Sequence, residues 1–180
     1  MENLSYKGLD FVPYISREEI AIKVKELAKM LTCDCQGKNP LFVCVLNGAF
    51  AFASDLFREV EMDAQITFIR LKGYIGTGSC GKVKVLSDFT EDITGRTIII
   101  VEDIVDTGKT MKRLISDMEK LNPAEIKVAS LFFKPESLQC DITIDYVGFN
   151  IPNKFIIGYG LDIDEMARNL PDIYILKPSD

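Results

Sequence analysis

One segment near the middle of the chain, Ile98–Thr110, reads IIIVEDIVDTGKT. An apolar, β-branched run delivers two adjacent carboxylates, Glu102 and Asp103, and Asp106 follows in the polar stretch Glu102–Thr110. Thr107, Gly108, Lys109 and Thr110 then lead into a helical pattern. A helix N-terminus there offers unpaired N–H groups and a favourable dipole to a phosphate monoester, and the Thr107 and Thr110 hydroxyls add hydrogen bonds. The paired acids would repel that phosphate. They make chemical sense if they accept hydrogen bonds from sugar hydroxyls or meet a bound Mg²⁺. An anion seat beside an acidic pair suits a sugar phosphate. A solvated acidic loop built of ordinary loop residues satisfies the same letters.

Two glycine patterns nearby lead elsewhere. Gly76–Gly81 (GTGSCG) matches G-x-G-x-x-G, yet the following Lys82–Leu86 alternates like a strand, whereas a dinucleotide site must open a helix. A mobile loop between strands fits better. Gly108-Lys109-Thr110 resembles the end of a Walker A loop, but that pattern needs glycine where Asp103 stands.

Histidine is absent from the chain, which removes Ser–His–Asp and Cys–His machinery and any His-containing zinc site. Proton transfer falls to carboxylate, Lys, Tyr or Cys. Five cysteines without a signal-like leader read as reduced thiols, and Cys33-x-Cys35 lacks a second pair at zinc-finger spacing. A net charge of −6 argues against nonspecific grip on nucleic acid or anionic membrane. The apolar runs Leu41–Leu46 and Ile98–Val101 fall far short of the roughly 20 residues a bilayer requires. A cytoplasmic location is expected.

At 180 residues, 47% of them hydrophobic, the chain fits one domain with its own core. Ser16-x-x-Glu19 forms a capping box, and Ile20, Val24, Leu27 and Leu31 follow at helical spacing. Leu41–Leu46 reads as a buried strand ending at Asn47–Gly48, with a helix over Phe50–Val60. Gln65–Lys72 is strand-like, Tyr74–Gly81 is glycine-rich, and Thr97–Val101 is typical of a central parallel strand. A helix from near Thr110 carries Met111, Leu114, Ile115, Met118 and Leu121 and stops at Asn122–Pro123. Ile126–Phe133 is the next strand. Strand-like pieces at Ile142–Phe149 and Phe155–Tyr159, a brief helix near Asp164–Asn169 and a last strand Ile173–Leu176 complete the chain. The alternation predicts an α/β fold, a mainly parallel sheet flanked by helices.

The segment VEDIVDTGKT resembles the phosphoribosyl pyrophosphate signature of the type I phosphoribosyltransferases, in their hypoxanthine-guanine form. The resemblance continues through Leu46-Asn47-Gly48, FIRLKGY (Phe68–Tyr74), Lys134, KFIIGYGLD (Lys154–Asp162) and Arg168. It covers nearly the whole chain after the first helix. It implies the family fold over 1–180, with a core at about 35–135 and a small hood from about 1–15 and 140–180.

That likeness also implies roles. Thr107–Thr110 would hold the 5′-phosphate with Asp106 in the same loop, and Glu102 and Asp103 would bind the ribose directly or through Mg²⁺. Asp106 would be the general base at purine N7. Asn47, Gly48 and Arg168 would receive pyrophosphate, and Asp162, beside the purine, would contact a second Mg²⁺. Phe155 would stack on the purine while the Ile156 backbone reads its edge. Lys134 would donate to O6. Gly73 and Tyr74 would begin a lid over Tyr74–Gly81. Two departures stand out: Asn47 where many relatives carry Lys, and Gly73 where Ser is usual.

Taken alone, Lys134 reads equally as a solvated strand-end lysine, and Phe155 beside two isoleucines as core. As a donor-only group, Lys134 favours a 6-oxo over a 6-amino purine. The implied activity is purine salvage: transfer of the 5-phosphoribosyl group to N9 of hypoxanthine or guanine, giving IMP or GMP and pyrophosphate. The alternatives are a non-catalytic regulator on this fold or a transferase for another base such as xanthine. A homodimer or homotetramer is the expected assembly.

Overall fold

A computed structural model describes residues 2–71 and 89–178. The glycine-rich segment, the expected strand Lys82–Leu86 and the proposed lid residues Gly73 and Tyr74 lie outside the described residues. The central sheet has the order β4-β3-β5-β6-β7, from β3 (Leu41–Leu46), β4 (Gln65–Arg70), β5 (Thr97–Val105), β6 (Glu125–Phe133) and β7 (Tyr146–Asn150). Every pair in it is parallel.

Side chains on β3 and β5 alternate between two cores, as strands buried on both faces require. Phe42, Cys44, Ile99 and Val101 pack with α1 (Arg17–Cys35) and α2 (Phe50–Glu59). Leu41, Val43, Val45, Ile98 and Ile100 pack with Met111, Leu114 and Met118 of α3 (Lys109–Glu119). The helical periodicity read from the sequence thus marks the faces that meet the sheet. Burial pushes the Cys44 thiol up to about 12, with Glu102 and Asp103 adding to the effect, so this cysteine is a packing residue.

The chain ends form a second, antiparallel sheet of order β1-β2-β9-β8, from β1 (Leu4–Tyr6), β2 (Leu9–Ile15), β8 (Ile156–Ile157) and β9 (Ile173–Leu176). A tight turn at Lys7 and Gly8, both with positive φ, joins β1 to β2.

Several boundaries differ from the sequence expectation: the strand expected over Ile142–Phe149 begins only at Tyr146, the helix expected to carry Leu121 ends at Glu119 with Leu121 exposed beyond it, and three further differences bear on the site. β5 continues past Val101 to Val105, because β6 supplies ladder partners as far as Val105–Phe133. Glu102 and Asp103 therefore stand on a strand rather than in a loop. Of Phe155–Tyr159 only Ile156–Ile157 is strand, since Gly158, Tyr159 and Gly160 all turn to positive φ. The helix expected near Asp164–Asn169 is a series of turns, with Asp164, Glu165 and Ala167 at positive φ. There the Asp162 side chain accepts the Glu165 N–H at 2.8 Å, a local bond that competes with helix formation.

The first helix carries the capping box as read: Ser16 Oγ accepts the Glu19 N–H, and the Glu19 carboxylate accepts the Ser16 N–H at 2.8 Å. Ser16→Ala is expected to lower the unfolding free energy by about 1 kcal/mol, measured by urea denaturation.

Candidate active site

The carboxyl ends of β3 and β5 lie side by side in the sheet, and each runs into a helix whose first turn has no side-chain cap. Uncapped N-termini leave N–H groups and the positive end of the helix dipole for an external anion. At the end of β5, Glu102, Asp106, Thr107, Gly108 and Thr110 line a cavity of about 130 Å³. Gly108 begins α3 with φ 77°, and its Cα packs beneath Leu138 and Ile142. The Gln139 N–H donates to the Thr107 carbonyl at 3.0 Å, so the segment after β6 braces this loop.

At the end of β3 the chain turns through exposed Asn47, after a cis Leu46–Asn47 peptide, to Gly48. Gly48 is there for closeness. A Cβ on it would sit 1.7 Å from the Asp103 carboxylate, and one on Gly160 would sit 2.1 Å from the Gly48 carbonyl oxygen. Three separate parts of the chain thus meet at residue 48.

The acidic pair is half-buried and mutually close. Burial raises the Glu102 carboxyl well above its usual range, and the neighbouring Asp103 pushes it further. Burial also raises Asp103, offset by hydrogen bonds, including one from the Ile104 N–H, and by the positive charge of Arg168. Two carboxylates so placed are a fitting donor set for a divalent cation, because Mg²⁺ takes one or two carboxylates and completes its shell with water and substrate phosphates. Among the described residues no three histidine, cysteine or acidic side chains gather into a metal cage.

Asp162 instead faces Arg168. The guanidinium reaches Asp162 at 2.9 Å, Glu165 at 3.0 Å and the Gly160 carbonyl at 2.8 Å, while its Nε is buried without a partner among the described residues. Lys134 is a buried lysine, 7% exposed, whose Nζ meets Asp106 at 2.9 Å. Its reading as a solvated lysine is thereby overturned. Burying an ammonium costs several kcal/mol unless it is paired, and Asp106 supplies the pairing.

Phe155 is 44% exposed, with its ring centroid 6.1 Å from that of buried Phe11, so it is not a core phenylalanine. Ile156 buries its side chain, and β8 is an outer strand of its sheet. The Leu176 N–H donates to the Phe155 carbonyl, and Ile156 lies opposite Ile175. By antiparallel alternation, the Ile156 N–H and C=O point out from the sheet edge, free for a ligand. Sequence reading missed Gly160, Asp55 and Tyr159, whose hydroxyl donates to Asp55 at 2.6 Å. The Gly158-Tyr159-Gly160 spacing was the available signal for a special turn.

Residues 15–164 match the model of the phosphoribosyl transferase domain. A hypoxanthine-guanine phosphoribosyltransferase of Streptococcus agalactiae is 48% identical over 164 residues, covering 90% of this chain and 91% of that one. One from Streptococcus thermophilus is 45% identical over 163 residues with the same coverage. The crystal structure of a hypoxanthine-guanine phosphoribosyltransferase from Bacillus anthracis superposes with a TM-score of 0.85 at 41% identity, covering 93% of this chain and 97% of that one.

The raised Glu102 carboxyl has a consequence for stability. Its folded pKa lies above the unfolded value, so the native state binds more protons and stability is lost as pH rises from about 4 towards the folded pKa. Glu102→Gln, neutral and of the same shape, is expected to melt at a higher temperature than the parent at neutral pH in metal-free buffer. The difference should shrink as pH falls to about 4, where both states of the parent protonate. Thermal unfolding of both proteins across that range checks it.

Proposed function

The chain belongs to the phosphoribosyl transferase family, in company with hypoxanthine-guanine phosphoribosyltransferases, and on that premise we propose how its residues divide the work. The protein is a purine-salvage transferase that moves the 5-phosphoribosyl group of phosphoribosyl pyrophosphate to N9 of hypoxanthine or guanine. IMP or GMP and pyrophosphate are the products. The observation that carries the division of labour is the pairing of buried Lys134 with half-exposed Asp106 beside the uncapped start of α3.

In this reading the 5′-phosphate sits on the amides of Thr107–Thr110, with the two threonine hydroxyls as further donors. Glu102 and Asp103 would hold the ribose hydroxyls and a Mg²⁺ ion, and Asp162, beside the purine, would contact a second Mg²⁺ near pyrophosphate. Bound there, Mg²⁺ would neutralise charge on the diphosphate and favour the carboxylate form of both half-buried acids. Asn47, Gly48 and Arg168 receive the leaving pyrophosphate. The unpaired Arg168 Nε is a donor in want of an acceptor.

Phe155 stacks on the purine, and the outward backbone of Ile156 reads its edge. Lys134 carries three N–H donors, so one can meet purine O6 while another keeps Asp106. Asp106 accepts the proton that the purine releases at N7 as N9 bonds to C1′. Adenine offers Lys134 no acceptor at position 6, and a buried donor left unpaired discriminates strongly. Breaking the C1′–oxygen bond builds positive charge on the sugar, so water must be excluded, and Gly73 and Tyr74 open the segment read as the lid.

The whole chain is one domain, with the core at about 35–135 and the sheet of chain ends as its hood. A regulator without catalysis is disfavoured, because Asp106, Lys134 and Arg168 are retained together. Among the described residues no helix is long and apolar enough to cross a membrane. A cytoplasmic homodimer or homotetramer acting on small molecules, without nucleic acid or membrane partners, is the corresponding reading.

A spectrophotometric assay with phosphoribosyl pyrophosphate and Mg²⁺ is expected to consume hypoxanthine and guanine and spare adenine, and EDTA should stop it. Xanthine in the same assay fixes the range of bases. Adenine turnover equal to that of hypoxanthine would overturn the role of Lys134. Asp106→Asn should lower kcat by about 10²-fold or more, the range of general-base contributions, while nucleotide binding changes far less. Equal losses in both would make Asp106 a positioning group instead.

A further inference from the structure

Tyr159 and Asp55 are 104 positions apart, and their side chains meet in a hydrogen bond of 2.6 Å. We propose that this bond is the positioning contact for the pyrophosphate side of the site, holding the loop after β8 against α2. The proposal rests on the assignment of Gly48 and Arg168 to pyrophosphate.

Beyond β8 the backbone runs through positive φ at Gly158, Tyr159 and Gly160. Tyr159 is the residue there with a side chain, in a conformation that L residues adopt at a cost. The loop is stitched to residues 168–170 by two bonds: the Tyr159 N–H donates to Leu170 O at 2.8 Å and the Gly160 N–H to Arg168 O at 3.0 Å. Gly160 in turn lies against the Gly48 carbonyl, with no room for a Cβ between them. Its own carbonyl accepts from Arg168, whose other terminal nitrogen pairs with Asp162.

Gly48 opens the turn into α2, and Asp55 sits on that helix. The distance between α2 and residue 160 therefore sets the Gly48 turn and, through Gly160, the seat of the Arg168–Asp162 pair. Tyr159 reaches across that distance. Burial first, then the bond to the Asp55 carboxylate, keeps its hydroxyl protonated as a donor. A charge-assisted bond in a half-buried setting is among the stronger single contacts, and it acts on residues that face one substrate group. Tyr159 and Asp55 are thus positioning residues, without contact to the reacting atoms.

The test is steady-state kinetics in both directions with Tyr159→Phe, Asp55→Ala, Asp55→Asn and the Tyr159→Phe/Asp55→Ala double variant. Tyr159→Phe and Asp55→Ala should each raise KM for pyrophosphate and phosphoribosyl pyrophosphate about tenfold, with KM for hypoxanthine moved less than about twofold. Asp55→Asn keeps an acceptor for the tyrosine hydroxyl and should recover most of that loss. The double variant should be no worse than either single one, because both remove the same bond. A fall in melting temperature with unchanged KM for pyrophosphate would reduce the bond to a structural one and overturn the proposal. So would Asp55→Asn behaving like Asp55→Ala, a comparison that stands even if Tyr159→Phe fails to fold. An inactive parent protein would overturn the enzymatic reading itself, whereas an active parent with unmoved variants overturns the positioning role alone.

Discussion

Parallel hydrogen bonding between β3 and β5, in register from Leu41 opposite Ile98 to Cys44 opposite Val101, brings two strand ends to one edge of the sheet. Everything chemical follows from that adjacency. Each strand hands its chain to a helix without a side-chain cap, so two helix N-termini open at that edge, one on each face of the sheet. Between them the Asp103 carboxylate lies against Gly48, where any side chain would occupy the carboxylate's own place. An open parallel sheet binds ligands at its carboxyl edge for this reason.

The same geometry puts unlike charges to work over short range in a chain of net charge −6. Glu102 and Asp103 are held near one another, and burial disfavours their charged forms. Such a pair is destabilising to the free protein and ready to gain from a cation or from sugar hydroxyls. Backbone dipoles at the two helix starts and the Arg168 guanidinium offer an anion positive charge that does not depend on the net charge of the molecule. Lys134 stands apart from these: its ammonium is buried, and Asp106 is its counter-ion.

Much of this was legible from local pattern. The apolar runs of β3 and β5, the Ser16–Glu19 box and the spacing of Met111, Leu114 and Met118 are short-range signals, because strand and helix patterns are properties of a few consecutive residues. The segment after Asp162 misled the reading. Its polar residues resemble a helix, but the Asp162 carboxylate captures the Glu165 N–H and the backbone turns left-handed. The end of β5 was also read too early, because the polarity of Glu102 and Asp103 marks a site and not the end of a ladder that β6 continues.

By itself the sequence determined an α/β sheet with acids and a helix start at one strand end, since those depend on neighbours within a turn or a strand. Tertiary structure decided the rest. It alone set the pairing of Lys134 with Asp106, the packing of Gly160 on Gly48, the exposure of Phe155 and the reach of Tyr159 to Asp55. The reason is separation along the chain: these contacts join residues tens to more than a hundred positions apart, and no local periodicity encodes which distant partner a side chain will meet.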